Sequence, residues 1–239
     1  MSNPVQASND LRQSARYVEI YTPPRINGNF EDKHIITVEQ FAHDDLVKVM
    51  DVARTLRERV RKQDFRVNNL CAGRVMASLF FEASTRTDMS FQAAWGRLGG
   101  HVIIASNGVQ FSSVYKGENL ADTVRAVGCY ADVIVLRHPE VGSSYEAAYY
   151  LDRLFDRTVS KTVLLSGGDG IGEHPTQGLL DLFTILDHKN KLDDLTITLV
   201  GDCGTVGRCI LWPSWWRFTG HGGCGCALWP QRACVCRTM

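Results

Sequence analysis

The chain of 239 residues carries 26 basic and 26 acidic side chains, and 44% of its residues are hydrophobic. This length suits one large domain or two small ones, and the balanced charge argues against nucleic acid or an anionic membrane as the main partner. No apolar run could cross a membrane, and the first 30 residues lack the apolar core of a secretory signal. Only Cys71 and Cys129 occur before residue 203. This sparing use of cysteine suits a reducing compartment, so we expect a cytoplasmic protein.

Helical and strand patterns alternate along the chain after residues 1–33, which we interpret as a polar lead-in or linker. The spacing Thr37-Val-Glu-Gln40 is that of a capping box and precedes an amphipathic helical pattern. Helices are also predicted at residues 87–100, closed by two glycines, and at residues 174–190. Between them lie apolar runs typical of buried parallel strands: RVMASLFFEA, HVIIAS, ADVIVLRH, KTVLLSG and LTITLVGD.

This alternation predicts an α/β fold with a mainly parallel sheet flanked by helices. The first complete domain is predicted at residues 34–192, and residues 193–239 contain the start of a second one.

Three polar segments follow predicted strands, at the edge where parallel sheets bind ligands. They are residues 84–87 (STRT), 137–139 (RHP) and 168–177 (GDGIGEHPTQ). The first lies between a strand and a helix, where free backbone N–H groups favour an anion, and Arg86 adds a fork suited to phosphate. An ordinary helix cap beside a solvated arginine is the alternative for this segment taken alone. The glycines of the third segment lack the G-x-G-x-x-G spacing of a dinucleotide site, so we expect one phosphate-binding crevice instead.

Longer strings that contain these segments resemble the aspartate carbamoyltransferases: FFEASTRTDMSF, YKGENLADTVRAV, YADVIVLRHPEVG and GGDGIGEHPTQGLLDLFTI. The resemblance runs from about His34 to Asp202, and KGENLAD is similar to the aspartate branch rather than to the related ornithine enzymes. It implies transfer of the carbamoyl group of carbamoyl phosphate to L-aspartate, which gives N-carbamoyl-L-aspartate and phosphate in pyrimidine (UMP) synthesis. It also implies a homotrimer with shared active sites and no metal or other cofactor.

The same resemblance implies a set of substrate-binding residues: Ser84, Thr85, Arg86, Thr87, Ser112, Lys116, Arg137, His174 and Gln177. Those that it implies as catalytic are Arg86, Thr87, Arg137 and His174. The STRT residues would hold the phosphate. Thr87, Arg137 and His174 would face the carbonyl oxygen, and Gln177 would contact the amide. The serine and lysine of the KGENLAD region would reach a neighbouring subunit's site. Fixed donors of this kind stabilise the negative charge that grows on oxygen when an amine attacks the carbonyl carbon.

Two positions depart from the family pattern. Asp88 stands where many relatives have a basic or small residue, and Ser166-Gly167 replaces an Asn-Ala pair. A carboxylate in the first turn of a helix suits the helix dipole but would oppose a bound dianion. The sequence leaves open which of these two effects dominates at Asp88.

The composition changes at Cys203. From this residue onward the chain holds six of its eight cysteines and four of its five tryptophans. Restoring one nucleotide after the Asp202 codon lets CGTVGRCILW be read as LRYGRTVHSL, the motif with which the family continues. In that frame the tryptophan codons, which end in G, give Ala, Val, Ala and Ala, and each fits the family pattern. We interpret residues 203–239 as out of frame, which would remove the aspartate-binding domain and leave a tail outside the cooperative fold.

Three alternatives remain at this stage. The tail could hold zinc through His221 and the cysteine pairs 224/226 and 234/236, although the usual Cys-x₂-Cys spacing is absent. The whole chain could be a non-catalytic regulatory or decoy subunit that binds phosphate ligands or joins trimers. It could also be a phosphate-binding module unrelated to carbamoyl transfer, although the KGENLAD string argues against this.

Overall fold

The computed structural model describes residues 14–105, 118–155, 161–170 and 172–191, and the backbone of strands at residues 196–200 and 233–237. Its α-helices are α1 (Tyr17–Ile20), α2 (His43–Arg61), α3 (Thr85–Arg97), α4 (Leu120–Gly128), α5 (Ser143–Phe155) and α6 (Pro175–Lys189). Its strands are β1 (Val75–Phe80), β2 (His101–Ile104), β3 (Val133–His138), β4 (Val163–Asp169), β5 (Thr196–Val200) and β6 (Ala233–Arg237). Short 3₁₀ turns occur at Ser14–Arg16, Val38–Gln40 and Phe65–Asn69.

Strands β1 to β4 form one sheet in the order β2-β1-β3-β4, and each neighbouring pair is parallel. The chain moves from β1 outward to β2 and then returns to β3 on the other side of β1. The strand order therefore reverses between β1 and β3, where Phe80 is paired with Arg137. Loops that leave two such strands diverge and open a crevice at their carboxyl ends. The predicted α/β fold with a parallel sheet is confirmed.

Helices cover both faces of this sheet. On one face Ile134 belongs to a cluster of buried residues that includes Leu151 of α5. On the other face Met76 is buried, and Phe91 and Trp95 of α3 pack against its cluster. Strands β1, β3 and β4 are largely buried between these helices, so their sequences are continuous apolar runs rather than alternating ones. The edge strand β2 is more exposed, and Ile104 is 57% accessible. The apolar pattern is the reason that the strands could be predicted.

Residues 14–33, for which the sequence predicts a lead-in or linker, instead pack on the domain. Tyr17 and Ile26 are buried, and Ser14 Oγ donates a hydrogen bond of 2.6 Å to Glu146 Oε2 of α5. The segment has few large apolar side chains, so its composition resembles that of a linker. A few well-placed anchors are sufficient to hold it, and such anchors carry no periodic signal.

The predicted capping box at Thr37 is confirmed, but it begins the short 3₁₀ turn at Val38–Gln40. The amphipathic helix α2 begins later, at His43, where Asp45 Oδ2 accepts a hydrogen bond of 2.8 Å from Ala42 N. The side chain of Asp45 thus satisfies a backbone N–H group at the start of this helix.

Strands β5 and β6 form a separate antiparallel pair, with Thr196 opposite Arg237 and Val200 opposite Ala233. The prediction of a strand from LTITLVGD is confirmed by β5. For β6 the structure differs from the prediction, because the sequence after residue 202 is expected to stay outside the fold. A lone strand offers unpaired N–H and C=O groups, which a short segment can pair with through its backbone alone.

Two glycines of the α3 region provide a matched test of the packing. At Gly99 the backbone has a φ of +88°, and an added Cβ would lie 1.5 Å from the carbonyl oxygen of Asn68. At the exposed Gly96 nothing lies within 4 Å of an added Cβ. We expect Gly99→Ala to lower the free energy of unfolding by about 2 kcal/mol or more, and Gly96→Ala to raise it by about 0.5–1 kcal/mol. Urea denaturation measures both, and equal effects would contradict this description of the helix end.

Candidate active site

A cleft of about 960 Å³ opens beside the carboxyl ends of the strands, between α2, α3 and α6. One part of its lining is apolar and includes Phe91 of α3 and Leu180 and Phe183 of α6. The other part is polar and brings together residues of the three predicted segments: Ser84, Arg86, Thr87, Arg137, His174 and Gln177. Residues of all three predicted segments thus line a single cleft.

The first turn of α3 has no side-chain cap. Ser84 is the N-cap residue, but its hydroxyl donates to Thr87 Oγ1 at 2.9 Å and accepts no hydrogen bond from the backbone of the first turn. The first N–H groups of a helix have no partner inside the helix, so those of α3 can bind an anion. The side chain of Thr85 is exposed and lies outside the cleft lining. Arg86 lines the cleft, and no hydrogen bond or ion pair joins it to another described residue.

Arg137 is the penultimate residue of β3, and its guanidinium group is held on two sides. Nη1 donates to the carbonyl oxygen of Gly167 at 3.1 Å, and Nη2 forms an ion pair with Glu82 Oε1 at 3.0 Å. The backbone of Gly168, with a φ of +116°, allows this close approach, because an added Cβ would lie 3.1 Å from Nη1 and 3.5 Å from Cδ2 of His174. Glu82 is not among the site residues that the sequence predicts. Its place just after an apolar strand, at the ligand-binding edge, is the signal that could have indicated it.

His174 is the N-cap residue of α6, and its Nδ1 accepts a hydrogen bond of 3.4 Å from Gln177 N. Because a backbone N–H can only donate, the neutral ring carries its proton on Nε2. Burial, and secondly the positive charge of Arg137, lower the pKa of His174 to about 4. The ring is therefore a neutral donor near pH 7 and can offer its Nε2–H to an oxygen atom.

The buried carboxylate of Asp169 and the half-buried carboxylate of Glu173 accept hydrogen bonds beside His174. Asp169 accepts hydrogen bonds from Glu173 N at 2.6 Å and from Gly142 N at 3.1 Å. The carboxylate of Glu173 in turn accepts a bond of 2.9 Å from Thr37 Oγ1 and one of 3.0 Å from the next backbone N–H. Burial raises the pKa of both groups, that of Asp169 to about 6. Thr37 and Val38 thereby support the loop beside His174, a role that the sequence does not indicate.

The remaining predicted residues are placed as follows. Gln177 Nε2 donates to Asp181 Oδ1 at 3.0 Å, so the amide oxygen of Gln177 remains available as an acceptor. Ser112 and Lys116 lie outside the described residues.

We expect His174 to stay neutral, with its proton on Nε2, as the pH falls from 8 to about 5, because its pKa is about 4. A free imidazole has a pKa of about 6.5. Protonation therefore favours the unfolded chain, and stability due to this residue is lost as the pH falls from about 6.5 towards 4. Proton–nitrogen NMR of the imidazole groups, assigned with His174→Gln, measures the midpoint. A midpoint near 6.5 would contradict the buried neutral ring.

Two features are absent from the part of the chain that the structure describes. No helix in this part of the chain is long and apolar enough to cross a membrane. No group of three or more His, Cys, Asp or Glu residues in it could hold a metal ion. The alternative zinc site consists of His221 and the tail cysteines. Their side chains lie outside the described part of the chain.

The fold and the cleft define an α/β domain that can receive a small anion where its strand order reverses. Residues 33–187 match the family model described as aspartate/ornithine carbamoyltransferase, carbamoyl-P binding domain. The chain therefore belongs to the aspartate/ornithine carbamoyltransferase family, as its motifs predict.

Individual relatives agree with the family that the model indicates. The chain is 46% identical over 173 residues to the aspartate carbamoyltransferase catalytic subunit of Dichelobacter nodosus, over 71% of this chain and 46% of that protein. It is also 46% identical over 173 residues to multifunctional protein CAD of Squalus acanthias, over 72% of this chain and 7% of that protein. The chain is also similar to a crystal structure of aspartate transcarbamoylase from Trypanosoma cruzi in complex with carbamoyl aspartate and phosphate. The two chains have a TM-score of 0.66 and are 39% identical, and the match covers 78% of this chain and 54% of that chain. The chain thus spans about half the length of its monofunctional relatives.

Proposed function

We propose that this chain is the carbamoyl-phosphate-binding half of an aspartate carbamoyltransferase, which transfers a carbamoyl group to L-aspartate in pyrimidine synthesis. One observation carries the proposal: the uncapped start of α3, the guanidinium group of Arg137 and the neutral ring of His174 share one cleft. The names of the relatives support the choice of carbamoyl phosphate and aspartate as substrates.

In the proposed mechanism the phosphate group lies at the start of α3. Ser84, Arg86 and the backbone N–H groups of the first turn hold it, and the exposed Thr85 contributes through its backbone. Negatively charged oxygens suit this position because of the free N–H groups and the helix dipole. The fork of Arg86, which has no other described partner, adds paired hydrogen bonds.

The carbonyl oxygen of carbamoyl phosphate faces Thr87, Arg137 and Nε2–H of His174, while the amide oxygen of Gln177 accepts from its NH₂ group. The neutral amine of aspartate attacks the carbonyl carbon, and negative charge grows on the carbonyl oxygen. Preorganised donors stabilise that charge without reorganisation. The C–O bond to phosphate then breaks, and the leaving phosphate takes the proton from the amine, so the step balances without a cofactor.

The rest of the proposal concerns the whole enzyme. Ser112 and Lys116 would enter the cleft of a neighbouring subunit in a cytoplasmic homotrimer, and arginines of a second domain would hold the carboxylates of aspartate. If the frame is lost after Asp202, this chain binds carbamoyl phosphate but does not transfer its carbamoyl group. A non-catalytic phosphate-binding or decoy subunit is the second candidate. It is favoured by the departure of the sequence from the family pattern after Asp202.

Calorimetric titration with phosphonoacetate, a stable mimic of the phosphate end, tests the binding site. We expect a single site per chain, with affinity about tenfold or more weaker in Arg86→Ala, because a paired charge-assisted contact is lost. Arg97→Ala is the matched control, since Arg97 is exposed in the last turn of the same helix and carries the same charge. It should change the affinity less than about threefold, because exposed distant charges are screened. A folded chain that binds no phosphonoacetate would refute the proposed function.

A further inference from the structure

The side chain of Asp88 is turned away from the cleft and towards the sheet. Its Oδ1 accepts a hydrogen bond of 2.6 Å from Ser78 Oγ and another of 2.6 Å from Gln92 Nε2. Ser78 lies on β1 and is fully buried. The carboxylate therefore links the first turn of α3 to the strand beneath it and to the second turn of the same helix.

This link lies in the first turn of α3, beside the uncapped start of the helix. The N-cap side chain of Ser84 makes no bond to the backbone of the first turn. The first backbone bond of the helix is donated by Asp88 N to the carbonyl oxygen of Ser84, at 3.0 Å. A helix end without a cap frays easily, since its first N–H groups have no partner inside the helix. An ionised acceptor with two donors forms stronger hydrogen bonds than a neutral one.

We propose that Asp88 is a positioning residue that fixes the anion-binding turn of α3, residues 84–87, against β1. It acts through this turn and not by contact with the ligand, and the identity of that ligand rests on the proposed function. The link makes an uncapped turn rigid while its N–H groups remain free. The sequence left open whether the favourable helix dipole or the repulsion of a bound dianion dominates at Asp88. The hydrogen-bonded link is a third effect at this position.

The negative charge and the link can be separated by two substitutions. Asp88→Asn removes the charge but keeps an oxygen that accepts from Ser78 and Gln92, whereas Asp88→Ala removes both. The two variants carry the same charge, so a difference between them reports the link alone. Alanine favours helix formation, so both variants should fold.

Calorimetric titration with phosphonoacetate compares the variants. We expect Asp88→Ala to bind about tenfold more weakly than Asp88→Asn, and Asp88→Asn to bind as tightly as the parent chain or more tightly, because like-charge repulsion is removed. Ser78→Ala, which removes the buried donor and keeps the charge, should weaken binding by about threefold. Equal dissociation constants for Asp88→Ala and Asp88→Asn would overturn the proposal.

Hydrogen exchange without ligand tests the same link independently. The amide at position 88 should exchange faster in Asp88→Ala than in Asp88→Asn, while that of Leu98 at the other end of α3, bonded to Ala94 O at 3.1 Å, stays unchanged. Equal rates at position 88, or a uniform increase along α3, would overturn the proposal. If the parent chain binds no phosphonoacetate, the proposed function fails, and the exchange rates still decide the role of Asp88.

Discussion

Restoring one nucleotide after the Asp202 codon, with the downstream gene in frame, should convert a chain without aspartate carbamoyltransferase activity into an active enzyme. Aspartate carries two carboxylates, and the family resemblance implies that arginines of a second domain hold them. Without these charges aspartate has no fixed position beside carbamoyl phosphate. The advantage of holding two reactants together, on the order of several kcal/mol, is then lost.

A carbamoyl-aspartate assay on the two proteins side by side measures this effect. The control is phosphonoacetate binding, which both proteins should show because the cleft residues from Ser84 to Gln177 precede the break. Turnover by the 239-residue chain at a rate near that of the restored protein would show that aspartate is bound elsewhere. It would also refute the interpretation of residues 203–239 as out of frame.

The second large effect is expected at Arg137. In the restored enzyme Arg137→Leu should lower kcat by about 10²–10³-fold, the usual cost of removing a donor from a site of developing negative charge. The substitution also leaves Glu82 without its ion pair of 3.0 Å. An unpaired carboxylate near a bound phosphate adds repulsion, so binding of carbamoyl phosphate should weaken as well.

Arg137→Lys is the informative companion of this variant. It keeps the charge but loses the planar fork that bonds Gly167 and Glu82 at the same time, so activity should recover only in part. The urea midpoints of both variants verify that the fold survives. A kcat within a few-fold of the parent in a folded Arg137→Leu enzyme would exclude this arginine from the proposed stabilisation of the carbonyl oxygen.

The departures from prediction share one cause. The sequence predicts a linker over residues 14–33, yet Tyr17 and Ile26 are buried, and the neighbouring Thr37 holds Glu173 beside the cleft. It also leaves the role of Asp88 open. Each case includes a partner that lies far along the chain or on another element, such as Ser78 of β1 for Asp88, so local spacing does not reveal the contact.

Local patterns in the sequence predict the strands of the parallel sheet and the polar segments that line the cleft. Buried parallel strands need continuous apolar runs, and an anion-binding helix start needs a short polar segment such as STRT directly after a strand. Both are local patterns, which is why the sheet strands and the segments around Arg86, Arg137 and His174 could be predicted. The groups that support these segments become visible only in the tertiary structure. The ion pair of Glu82 with Arg137 and the link from Asp88 to the buried Ser78 depend on strand order and side-chain direction. Those are properties of the packed fold, because hydrogen bonds between elements form only where the sheet brings distant residues together.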